Sequence, residues 1–60
     1  LKPETFKTLI AAGERYQQAK QNFDNADELH TDKAIVELSL SETKLMLALV
    51  EALKEVVSNE

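Results

Sequence analysis

Near the start of the chain, Phe6, Leu9, Gly13, Tyr16, Lys20 and Phe23 recur at alternating intervals of three and four. Lys7, Glu14, Gln18, Gln21 and Asn25 fall on the opposite side. This is the period of a helix with one face turned inward, and Ile10, Ala12, Ala19 and Ala26 widen that face. Pro3 with Glu4 behind it predicts the start, since a first-turn proline gives up no helical hydrogen bond and an early acid suits the positive end of the dipole. The same spacing returns in Ile35, Leu38, Glu42, Leu45, Leu49, Ala52 and Val56, flanked by Met46, Leu53 and Val57. Between the two patterns, Asp24 to Asp32 is dense in residues that cap helices or make turns. Asn25 or Ala26 closes the first helix on this reading, and Asp27, Thr31 or Asp32 caps the second. The expectation is an all-α, single-domain, antiparallel two-helix hairpin, with a helix over about 3–25, a turn over about 26–31 and a helix over about 32–57.

The pattern also predicts the intrachain seam. Phe6, Leu9, Gly13, Tyr16 and Phe23 of the first helix are expected to meet Ile35, Leu38, Leu45, Leu49 and Val56 of the second. Lys20 and Glu42 are expected to meet within that seam as a polar contact that sets register. Gly13 costs a helix interior about 1 kcal/mol relative to alanine, which points to close approach by a large facing residue. One neighbour does not exhaust the second helix, because Leu45 to Val50 is an unbroken apolar run that covers every side of it. Val36, Leu40, Leu47 and Val50 form a further stripe with no intrachain partner in a hairpin. The simplest closure is a homodimer, two hairpins making a four-helix bundle with coiled-coil-like packing, or else docking on a partner helix.

Size strengthens that expectation. A chain of 60 residues buries about 60% of its unfolded surface, and a single core of this size rarely yields more than about 3–5 kcal/mol. There is no cysteine and a single histidine, so neither a disulfide nor a closed zinc site supplies support, and association is left. One glycine and one proline provide few turns for a β fold. The net charge of −4, with the basic residues spread out, disfavours nucleic acid and anionic membrane as partners. Neither a signal peptide nor a run long enough to cross a bilayer is visible, which favours the cytoplasm.

Candidate chemistry is sparse. Asp27 and His30 stand three apart, the offset of two side chains on one helical face, and with Glu42 they are the candidates for a helical-bundle metal site or enzyme centre. Such sites need further carboxylates on facing helices, so no metal, cofactor or catalytic residue is assigned. Thr5, Thr8, Ser39, Ser41, Thr43 and Ser58 have no histidine nearby in sequence to act as base. Tyr16 and Phe23 sit at core spacing, not as a base-stacking platform.

The heptad positions of Asp32–Leu38 and Leu49–Lys54 resemble those of short bacterial helical-hairpin proteins, and Gly13–Tyr16 is similar in pattern to the opening of inverse-BAR helical domains. No residue role carries over from either. The sequence therefore points to a non-enzymatic interaction or assembly module, an adaptor or regulatory subunit acting as a homo-oligomer. The alternatives are the metal-binding protein or enzyme centred on Glu42, Asp27 and His30, and an acidic inhibitor that mimics nucleic acid.

Overall fold

A computed structural model describes residues 1–58. Two helices, α1 (Pro3–Asp24) and α2 (Thr31–Ser58), pack against each other as an antiparallel hairpin. α1 closes at Asn25, whose backbone N–H donates to the Gln21 carbonyl at 3.1 Å, and Ala26 N–H donates to the Phe23 carbonyl at 3.2 Å. The reversal needs no glycine, since no described residue has a positive φ. Asp27 holds it together instead. Its carboxylate and its carbonyl share the backbone N–H of His30, each at 3.1 Å, its carbonyl also accepts the Thr31 hydroxyl at 2.7 Å, and the chain then enters α2. Asp27 thus serves as the cap ahead of the second helix, satisfying a donor that the helix itself leaves free.

At the other end of the hairpin α2 caps α1. The Lys2 backbone N–H donates to Glu55 Oε1 at 2.8 Å and the Thr5 hydroxyl donates to Glu55 Oε2. A carboxylate at a helix N-terminus meets unsatisfied donors and the positive end of the dipole. The backbone and hydroxyl donors hold the Glu55 carboxyl below its ordinary value of 4.5. Glu55 thus ties the end of α2 to the start of α1 and pins the register of the hairpin.

Taking Thr5 and Glu55 as level and following both helices at equal rise sets Ala12 beside Ala48, Ala19 beside Ser41 and Ala26 beside Ala34, with Leu45 and Leu38 within one residue of the levels of Tyr16 and Phe23. In heptad terms, Leu9, Tyr16, Phe23, Leu38, Leu45 and Ala52 are a positions, and Ala12, Ala19, Ala26, Ala34, Ser41 and Ala48 are d positions. The seam therefore alternates larger and smaller layers. Among the described residues, the buried ones are Ala19, Ala34, Ala48, Ala52 and Ser41, and no large side chain is fully buried. Such small residues let two helices approach closely, consistent with Cα extents of 49 × 14 × 12 Å. The Ser41 hydroxyl is satisfied by the Leu38 carbonyl at 2.8 Å.

This seam differs from the expected one. Phe6, Ile35, Leu49 and Val56, assigned to the intrachain seam, remain between 45% and 53% exposed. Leu9, Gly13, Tyr16, Phe23, Leu38 and Leu45 are half-buried. The expected seam runs through the a and e positions; the observed one runs through a and d, a rotation of each helix by about 50°. Charge gives the physical reason. An a/e seam would take Lys20 and Glu42 out of water, at several kcal/mol per ion before any pairing. An a/d seam puts alanine and serine there instead.

Candidate interaction surface

Rotation of the seam toward alanine leaves a broad apolar surface uncovered. Of the twelve large apolar residues in α2, only Leu38 and Leu45 enter the seam, and ten remain exposed. Val36, Leu40, Leu47 and Val50, the stripe predicted to dock on a partner, keep between 47% and 61% exposure. By heptad position Val36 and Val50 lie on the back of α2, while Leu47 and Leu40 line open grooves shared with α1. Phe6, Ile10, Ile35, Met46, Leu49, Leu53 and Val56 are also exposed. These occupy the e and b positions of both helices, so in heptad geometry they share one flank of the hairpin.

Lys20 and Glu42 lie within about 3 Å of the same level on that flank. Both are exposed, and no hydrogen bond or ion pair joins them among the described residues, so the expected polar contact within the seam is not formed. Gly13 also belongs to this flank. A Cβ built on it meets no heavy atom within 4 Å, so the space beside it is open and the partner helix of the hairpin does not require a glycine.

The opposite flank differs in character. Two open grooves run along it, of about 750 Å³ and 330 Å³. The larger is floored by Thr8, Ala12 and Ala48 and edged by Arg15, Lys44 and Glu51. The small d residues lean to this side and leave it concave, while the larger a residues lean toward the e flank and fill it. In the larger groove the Thr5 hydroxyl meets the Glu55 carboxylate, a contact already engaged in capping α1.

The candidate chemical cluster does not assemble. His30 Nδ1 and Asp27 Oδ1 are 2.7 Å apart, with both side chains about two-thirds exposed, and the pair is engaged in the turn. Glu42 sits on α2 well beyond it, and no group of three or more His, Cys, Asp or Glu among the described residues could hold a metal ion. The remaining ion pairs, Lys33–Glu37 at 4.0 Å and Lys54–Glu51 at 3.4 Å, are exposed and contribute little. Among the described residues, no helix is long and apolar enough to cross a membrane.

No protein-family model matches the chain, and no curated protein or solved structure matches it either.

Proposed function

We propose that this chain is a small helical protein–protein interaction or assembly module, an adaptor or regulatory subunit that acts as a homo-oligomer, with two hairpins closing into a four-helix bundle. One observation carries the reading: the hairpin buries four alanines and a serine while ten large apolar side chains of α2 stay exposed. Alanine burial contributes little, whereas fully burying a leucine, isoleucine, valine, methionine or phenylalanine yields roughly 1.5–3 kcal/mol. The side chains able to hold the fold together are thus the ones a single copy leaves in water. Apolar residues at a, d and a flanking position are also the pattern of bundle helices, whereas an isolated pair needs only the a and d seam.

The test is sedimentation equilibrium over a wide concentration range, followed in parallel by helical circular dichroism. The expected result is a dimer that loses helix as it dissociates on dilution. A fully helical monomer at every concentration overturns the proposal, because a self-sufficient hairpin has no need of a second copy.

A further inference from the structure

We infer that the docking face is the e flank, made by Phe6, Gly13, Lys20, Glu42, Leu49 and Val56, and that its occupant is a second copy of this chain related by a two-fold axis parallel to the helices. The inference rests on the self-association proposed above and adds the face, the symmetry and the residue pairs.

Three observations carry it. The first is the arrangement of the face. Both helices contribute to it, and most of its apolar residues gather toward the end that holds the termini, where Phe6, Ile10, Leu49, Leu53 and Val56 are exposed, with Ile35 the exception near the turn. Lys20, Ser39 and Glu42, also exposed, lie toward the turn. A two-fold axis parallel to the helices lays α1 of one copy over α2 of the other with like ends together. Apolar residues then meet apolar ones, and the hairpins form a bundle of antiparallel neighbours. An axis across the helices would instead set the apolar end of one copy on the charged half of the other.

The second is charge. Lys20 and Glu42 stand within about 3 Å of one level on this face and are unpaired among the described residues. Under the parallel axis, Lys20 of each copy faces Glu42 of the other, so the surface is complementary to itself, as a two-fold interface must be. Gly13 correspondingly falls opposite Leu49, which accounts for a helix-interior glycine that the hairpin's own packing does not require. The third is area. The broad side of a body 49 by 14 Å covers on the order of 700 Å², close to the roughly 800 Å² per partner of a standard stable interface. Val36, Leu40, Leu47 and Val50 remain on the outside of this dimer.

The experiment measures dimer dissociation constants of the full chain and its variants by sedimentation. Leu49→Asp is expected to weaken the dimer at least 100-fold, Gly13→Ala about 10-fold, and Leu47→Asp less than 3-fold. Lys20→Glu and Glu42→Lys, both at exposed positions that leave the seam intact, each weaken it about 10-fold, because like charges then face each other. Mixing those two variants restores association to within about 3-fold of the unmodified chain, since every facing pair is again opposite in sign. Failure of the mixture to restore association overturns the symmetry. A dimer that Leu47→Asp breaks and Leu49→Asp spares overturns the face while leaving self-association standing. A helical monomer of the unmodified chain overturns both.

Discussion

Replacing Ala34 with leucine is the most direct test of the seam. Ala34 is buried, lies level with Ala26 in the register set by Glu55, and lines neither groove. Leucine is nearly as good a helix former as alanine, so helix propensity does not obscure the result. The added carbons must push the helices apart or leave their rotamer minima, which costs about 1–3 kcal/mol. Set against roughly 3–5 kcal/mol from a single core of this size, that is a large share of the stability. At about 4–8 °C per kcal/mol for a domain this small, the Tm should fall by about 5–20 °C. Val36→Leu, two residues along on the exposed back of the same helix, is the matched control and should stay within about 0.5 kcal/mol of the unmodified chain. The assay is thermal unfolding by circular dichroism at one fixed chain concentration, because association makes Tm concentration-dependent. An unchanged Tm for Ala34→Leu, or an equal loss for Val36→Leu, would refute the assignment of small residues to the d layers.

Two further expectations concern the ends of the hairpin. Glu55 has its pKa lowered chiefly by the Lys2 backbone N–H and then by the Thr5 hydroxyl; its stabilisation is present above the ordinary value of 4.5 and is lost as pH falls through the lower folded value. Glu55→Gln should therefore melt below the unmodified chain at pH 7, with the gap closing in acid, and a gap that does not change with pH would exclude this role. Asp27→Ala removes the carboxylate acceptor of the His30 N–H and leaves the Asp27 carbonyl at 3.1 Å as its remaining acceptor, so the loss should lie toward the low end of about 0.5–2 kcal/mol. Urea unfolding reads that loss, and a midpoint equal to that of the unmodified chain would show that the turn does not depend on its cap.

Both helices, their antiparallel pairing and the surplus of apolar surface follow from the sequence alone. Pro3, the three-and-four spacing, the cluster of capping residues from Asp24 to Asp32 and the run from Leu45 to Val50 are local or periodic signals, and each is carried by residues close together in the chain. The angle at which the helices face each other is a different kind of quantity. The periodicity contains two neighbouring seams that share Leu9, Tyr16, Phe23, Leu38 and Leu45, and residue size alone favours the wrong one. Only the packed pair shows Ala12, Ala19, Ala34, Ser41 and Ala48 turned inward, because close approach and the solvation of Lys20 and Glu42 depend on both helices at once. Glu55 was illegible for the same reason. As a sequence feature it is one more acid on a charged helix, and it becomes a cap when the start of α1 is brought against it from 50 or more residues away.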